Sequence, residues 1–325
     1  MNTPDVLVVG RVSVDLYPDS IGQPLTEVTT FHPAVGGTSA NVAVAVARLG
    51  HRACLWTKVG GDPLGGYVRA ALDRLGVDTA WISTHPTLPT PVVFAELNPP
   101  SEPTIWFYRK PAAPDEHLTL DDIDTECIDS VPIIWIPGSV MAFEPVATTV
   151  TDLLSARCRR AHTVLDLDYR SMFWTSPDDA RRAVGALLDR VTLVIGNREE
   201  CRVVVGTDDP YEAARRILDR GVDMAIVKMG GDGVFAARSD GTCVQVAPIP
   251  VEVVCGLGAG DAFGGSIVHS LLTQAGMEQM LREANAAGAI VAARLLCSED
   301  MPTLAEIETM LATGTPPARD HERVM

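Results

Sequence analysis

The chain has 325 residues, 46% of them hydrophobic and 21% charged, and carries a formal net charge of -16 at pH 7. That excess of acid argues against a broad nucleic-acid footprint, because phosphate contacts need clustered Lys and Arg. A nucleotide stays open, since a local group of backbone N–H donors binds phosphate whatever the global charge.

The N-terminus reads Met-Asn-Thr-Pro-Asp and enters Val6-Leu7-Val8-Val9-Gly10 directly. It lacks a basic region followed by an apolar region and a small-residue cleavage site, so no signal peptide is expected. Short β-branched runs then alternate with amphipathic stretches. Strands are predicted over Val6–Gly10, Ala53–Val59, Ile133–Pro137, Thr163–Asp168, Leu193–Gly196 and Ala225–Lys228. Each is almost wholly apolar, as expected when helices cover both faces of a parallel sheet. Helices are predicted over Ser39–Leu49, Leu64–Leu75, Ala180–Arg190, Tyr211–Arg220 and Gly260–Gln274, with Ser176-Pro177 marking a start and Gly221 an end. The alternation predicts one layered α/β unit across residues 1–325, with a mostly parallel sheet and right-handed crossovers.

Two stretches break the pattern. Residues 12–35 and 91–110 are extended and partly alternating, with no helix between their strands. They predict a small β-sheet lid beside the core, the alternative being an antiparallel edge on the main sheet. A lid with an exposed edge predicts a homodimer. The longest apolar runs, Ile133 to Phe143 and Ala286 to Leu296, fall short of the ~20 residues a membrane span requires. The seven cysteines, at 54, 127, 158, 201, 243, 255 and 297, never form a Cys-x-x-Cys pair. That scatter predicts reduced thiols in a cytoplasmic protein rather than a disulfide framework or a zinc site.

Phosphoryl transfer needs a phosphate cradle, charge neutralisation and a group that orients the acceptor hydroxyl. A Walker A cradle is excluded, because the three lysines Lys58, Lys110 and Lys228 never follow Gly. No Gly-x-Gly-x-x-Gly follows the first strand, which counts against an oxidoreductase on a doubly wound sheet. The segment Cys255-Gly256-Leu257-Gly258-Ala259-Gly260-Asp261-Ala262-Phe263-Gly264-Gly265 offers another solution. Small residues let backbone approach a ligand, and the loop opens an apolar helix whose first N–H groups have no internal partner. Asp261 is then a proton acceptor for an attacking hydroxyl, with those N–H groups stabilising charge on the phosphoryl group. The plain alternative is an Asp that merely starts a helix.

Gly258-Ala259-Gly260-Asp261 at a helix start is similar to the C-terminal signature of the ribokinase-like (PfkB) carbohydrate kinases. Gly36-Gly37-Thr38-Ser39-Ala40-Asn41-Val42-Ala43, and Val59-Gly60-Gly61-Asp62-Pro63-Leu64-Gly65 after it, resemble the N-terminal signature. The resemblance covers nearly the whole chain. It implies a three-layer α/β/α core with a β-sheet lid, ATP and Mg2+ as cofactors, and Asp261 as the base. It also implies that Asp15, Gly37 and Asn41 hold the sugar hydroxyls. Asn197 and Glu200 resemble the family's Asn-x-x-Glu, which organises magnesium and phosphate through water. Lys228, Gly230 and Gly233 resemble the strand end and loop beside the nucleotide, and Asn285 and Gly288 the helix that lines the adenine pocket. Each also has a structural reading: Asp15 as a turn residue, Asn197 as a helix cap, Asn285 as a polar residue on an alanine-rich helix, Lys228 as a solvated strand end. The family usually has Asp-Thr before Gly-Ala-Gly-Asp, and Cys255-Gly256-Leu257 here puts its monovalent-cation site in doubt.

The acceptor is read from basic groups near the lid. Trp106-Phe107-Tyr108-Arg109-Lys110 ends a predicted lid strand, and Asp166-Leu167-Asp168-Tyr169-Arg170 follows a core strand. Tyr108, Arg109 and Arg170 are therefore candidate substrate residues, two arginines suiting a planar carboxylate. The alternative is that both arginines pair with acids or face solvent. Within the family, Asp-Leu-Asp-Tyr-Arg followed by Phe173-Trp174 resembles the kinases of 5-dehydro-2-deoxygluconate, an acid of inositol catabolism. The runner-up acceptor is 2-keto-3-deoxygluconate, followed by neutral sugars of the ribokinase and fructokinase type. A catalytically silent sugar or nucleotide sensor is the reading from outside enzymology, and the intact Asp261 with its glycines argues against it.

Overall fold

The computed structural model describes residues 3–99, 103–123, 128–160 and 162–318; Cys127 and part of the second lid stretch, 100–102, lie outside them. Nine strands form the main sheet. In chain order these are β1 (Val6–Val9), β4 (Ala53–Gly60), β5 (Ile82–His85), β8 (Ile133–Pro137), β9 (His162–Asp166), β10 (Leu193–Asn197), β11 (Met224–Lys228), β12 (Val234–Arg238) and β13 (Cys243–Val246). Their spatial order is β13-β12-β11-β10-β9-β8-β1-β4-β5. All neighbours run parallel except β11–β12 and β12–β13. This antiparallel hairpin was not predicted.

Residues alternate in direction along each strand, and both faces are apolar, so both are covered. On one face Val6, Val8 and Trp135 pack under helices α1 (Thr38–Arg48), α2 (Pro63–Arg74), α7 (Ala259–Thr273) and α8 (Met277–Ala292), with α9 (Leu304–Thr313) at the rim. On the other, Leu7, Val9 and Ile134 pack under α3 (Val146–Arg157), α4 (Pro177–Gly185), α5 (Arg198–Val205) and α6 (Pro210–Leu218). The predicted helix over 180–190 is in fact α4, which starts earlier. Ser176 caps it by accepting from the Asp179 N–H, and Pro177 occupies its first turn. The chain then tightens into a separate 3₁₀ turn at Leu188–Arg190.

The lid is a sheet of its own. Strands β2 (Ser13–Pro18), β3 (Phe31–Gly36), β6 (Val92–Glu96) and β7 (Thr104–Tyr108) lie in the order β3-β2-β6-β7. Only β2 and β6 pair in parallel. Tyr17 in β2, fully buried, donates its hydroxyl to the Cys297 thiol at 2.8 Å and so ties the lid to the core. Among the described residues no helix is long and apolar enough to cross a membrane.

Helix α7 sits close to the sheet. A Cβ on Gly264 would lie 2.5 Å from the ring of Trp135, itself fully buried. Gly264→Ala is therefore expected to destabilise the fold by ~1–3 kcal/mol through overpacking. A lower urea midpoint with an unchanged slope is the readout; an unmoved midpoint would mean that the indole ring yields.

Candidate active site

The parallel strands end on one edge, where ligands of open α/β sheets bind. Arg11 follows β1, Asp166 and Asp168 end or follow β9, Asn197 ends β10 and Lys228 ends β11. Asn197 and Lys228 are register partners. The lid covers this edge. One cavity takes Asp15 and Tyr17 from the lid, and Asn41, Arg170, Gly258 and Asp261 from the core. Gly37 and Leu257 line it too. The lid also contributes Ser13 and an apolar group, Val93, Ala95, Ile105 and Phe107.

Asp261 enters through a forced turn. Gly258 precedes α7 with φ +79°, and a Cβ there would meet the Cys297 sulfur at 2.8 Å. A left-handed, crowded position accepts only glycine. It places Ala259, Gly260 and Asp261 in the first turn, where N–H groups lack helical partners. The Asp261 carboxyl is buried, which pushes its pKa up to about 6 even though the Asn41 amide and the Arg170 charge favour the anion. Asn41 Nδ2 donates to Asp261 Oδ2 at 2.7 Å. Its Oδ1 is buried without a hydrogen-bond partner among the described residues, which leaves an acceptor unsatisfied. Asp15 accepts from Ser13 Oγ at 2.6 Å, and burial likewise raises its pKa to about 6.

A second group stands at the ends of β9, β10 and β11. Lys228 Nζ is 3.8 Å from Asp166 Oδ1 and would be 3.5 Å from a Cβ on Gly260, so the ammonium sits beside the first turn of α7. Burial works against its charge, but Asp166, Glu200, Asp261 and Asp168 outweigh it and raise the pKa. Asp166 is pushed up to about 7 by burial and by the Glu200, Asp168 and Asp261 charges, against the Lys228 ammonium. Its Oδ1 has no hydrogen-bond partner. Asn197 and Glu200 form a capping box on α5: the Asn197 side chain accepts from the Glu200 N–H at 2.9 Å, and Glu200 Oε2 accepts from the Asn197 N–H at 2.6 Å. The capping alternative for Asn197 is therefore realised, on the same edge as Lys228. Gly233 has φ +90° and would drive a Cβ to 2.1 Å from the Val246 carbonyl oxygen, so it is required by the turn; Gly230 is in open space. Asn285 donates to the Ala247 carbonyl at 3.0 Å and lines, with Ala247 and Arg282, a cavity of about 360 Å³. Gly288 lets α8 approach the Ala259 carbonyl, which a Cβ would meet at 3.1 Å.

Two predicted substrate residues are elsewhere. Tyr108 is 66% exposed on the outer lid face, its ring against Phe94, because strand alternation turns Phe107 inward instead. Arg109 is buried behind the cavity. It pairs with Asp115 and, at 3.2 Å, with Glu116, while its guanidinium faces the Phe143 and Phe173 rings. The acid-paired alternative holds for it. Arg170 keeps its place, its Nε 2.9 Å from Asp168 Oδ1 and its side chain about two-fifths exposed. Asp168 was the acid offered as an alternative partner for the arginines, and with Arg170 that pairing is realised. The sequence reading missed Arg11 and Cys297.

Residues 3–304 match the family described as pfkB family carbohydrate kinase. The chain belongs to it. A 5-dehydro-2-deoxygluconokinase from Clostridium perfringens is 32% identical to this carbohydrate kinase over 315 residues, which is 94% of this chain and 92% of that protein. One from Geobacillus kaustophilus is 30% identical over 313 residues, covering 94% and 93%. A solved putative ribokinase II from Escherichia coli, in complex with ATP and magnesium, has a TM-score of 0.86 at 25% identity, covering 95% of this chain and 99% of that one.

The loop before Gly258 reads Cys255-Gly256-Leu257 and carries no side-chain oxygen. Cys255 is fully buried, and its sulfur takes the Leu257 N–H. A neutral thiol there is a poor ligand for a hard monovalent cation, which takes oxygen donors. Replacing potassium by tetramethylammonium at constant ionic strength is expected to leave turnover essentially unchanged. A large loss would mean that other oxygens rebuild the site.

Proposed function

We propose that this carbohydrate kinase uses ATP to phosphorylate a primary hydroxyl of a small keto-deoxy sugar acid, 5-dehydro-2-deoxygluconate, with Asp261 as general base. The observation that carries the base is the pairing of Asp261 with Asn41 inside a cavity between lid and core at the start of α7. The acceptor hydroxyl gives its proton to the Asp261 carboxylate as its oxygen bonds to the γ-phosphorus. The bond from that phosphorus to the β-phosphate bridging oxygen breaks, and ADP leaves. N–H groups of the first turn of α7 and the Lys228 ammonium meet the charge on the transferring group.

Asp15 accepts from acceptor hydroxyls, and the unpartnered Asn41 Oδ1 accepts another. Gly37, with φ +95° one residue before α1, keeps that helix start close to the sugar. The apolar lid face of Val93, Ala95, Ile105 and Phe107 offers no hydrogen bond, which suits a deoxy carbon. The name of the Clostridium perfringens relative supports this acceptor.

Magnesium fits the donor set. The unpartnered Asp166 Oδ1 and the nearby Glu200 are hard oxygens in a surplus of negative charge. Among the described residues no group of three or more His, Cys, Asp or Glu is arranged to hold a metal directly, so these residues would hold it through water. Bound there, the ion would supply neutralisation of the phosphate charge. The cavity beside Asn285 suits adenine, with Ile249 and Val246 as apolar walls.

Asp261→Asn keeps size and helix start but removes the proton acceptor, and should lower kcat by about 10²–10⁴-fold with ATP binding nearly intact. In the parent, Asp261 is protonated below about pH 6 and ionised above it. kcat/KM should therefore fall as pH drops through about 6 and level off above. Turnover within a few-fold of the parent in the variant, or a flat profile down to pH 5, would remove Asp261 as the base.

A further inference from the structure

Arg11 is an arginine that neither the family motifs nor the lid pattern singled out. It is 4% exposed, yet it lines the acceptor cavity. Its Nε donates to Ser139 Oγ at 3.1 Å; its Nη2 donates to Thr38 Oγ1 at 3.0 Å and to Asp168 Oδ2 at 2.6 Å. Nη1 has no hydrogen-bond partner among the described residues. The Phe173 ring lies 5.1 Å from the guanidinium carbon. Every bond therefore locks the rotamer while one N–H₂ edge stays unused.

Asp168 is the hinge of this arrangement. Its Oδ2 takes Arg11 and Ser139, and its Oδ1 takes Arg170 Nε at 2.9 Å. Its backbone is left-handed, with φ 35°, an unfavourable state for a residue with a side chain. Such strain persists where the surroundings over-determine the position, and here two guanidiniums and a hydroxyl do so. One carboxylate thus anchors two cations, while Glu200, Asp261 and Asp166 further favour the Arg170 charge. Arg170 spends only Nε on Asp168, so its terminal fork is available as well. A buried cation with an unused donor is satisfied best by an anion.

We propose that Arg11, aligned with Arg170 through Asp168, is the second guanidinium that binds the carboxylate of the acceptor. This assignment rests on the sugar-acid reading above and replaces Arg109, whose charge Asp115 and Glu116 already meet. The role of Arg109 is indirect: Asp115, which it holds, also accepts from the Val12 N–H at 3.1 Å, next to Arg11. The two arginines stand on different elements, after β1 and after β9, so a carboxylate between them is gripped from two directions. Asp15 and Asp261 share that cavity and repel a misplaced anion, which leaves the acid end only one wall to occupy.

The test compares D-gluconate and D-sorbitol, which share a carbon chain and differ at C1, by calorimetric binding to the full chain. In the parent, gluconate should bind more tightly than sorbitol. Arg11→Gln should weaken gluconate by roughly 10–150-fold, the range of one charge-assisted hydrogen bond, and sorbitol little. Arg170→Met should behave alike. If Arg11→Gln fails to fold, Arg11→Lys carries the test, since it keeps the charge and loses the fork; its ratio should fall while its melting temperature stays near the parent's. A ratio preserved in the folded Arg11 variants, or equal losses for both ligands, overturns the assignment while leaving the sugar-acid reading intact. A parent that binds gluconate no better than sorbitol overturns both together.

Discussion

Burying a carboxylate without a partner raises the free energy of its charged form, and this site buries several within reach of one another. Asp15, Asp166 and Asp261 are all pushed upward, to about 6, 7 and 6, because burial dominates and their cations are shared. Asp168 goes the other way: burial raises it, but Arg11 and Arg170 outweigh that and hold it ionised. Environment alone thus divides the labour among four identical side chains. The permanently charged one anchors the arginines, and those near neutrality are left to exchange protons or meet cations.

The same balance favours a lid beside this edge. Water that entered freely would screen Lys228 and Arg170 and relax the shifts on which the proton transfer depends. The Tyr17–Cys297 contact joins the lid to the core at the wall of the same cavity. Burial raises the Cys297 thiol and the Tyr17 hydroxyl well above their ordinary values, so the contact is between neutral groups and adds no charge to the cavity.

The layered core was legible because its strands are apolar on both faces, and six of them appeared within a residue or two of their predicted bounds. The separate lid was legible because residues 12–35 and 91–110 extend with no helix between them. What failed was parity and pairing. In β7 both alternating sets are apolar or aromatic, Ile105 with Phe107 and Trp106 with Tyr108, so period alone does not say which faces in. Arg109 finds its acids six and seven residues onward in a turn, where no periodicity operates. Arg11 meets Asp168 across a separation of 157 residues, which only the folded sheet edge closes. Asn197 was legible both ways, since Asn-x-x-Glu is a capping box as well as a family motif.

The lid's central ladder joins Val14 to Val92 and Leu16 to Phe94 in parallel. Between those partners the chain runs through α1, β4, α2 and β5, all of them core elements. The core sheet needs none of the lid's hydrogen bonds, whereas the lid's parallel pair has a long loop to close until the core has shortened it. The lid is then the late-forming unit on the folding route and the early-opening one in the native ensemble. Its amides should lose protection from hydrogen exchange before those of β1 or β8. A local loss of this sheet would then uncover the cavity beneath it at a lower free energy than losing the core.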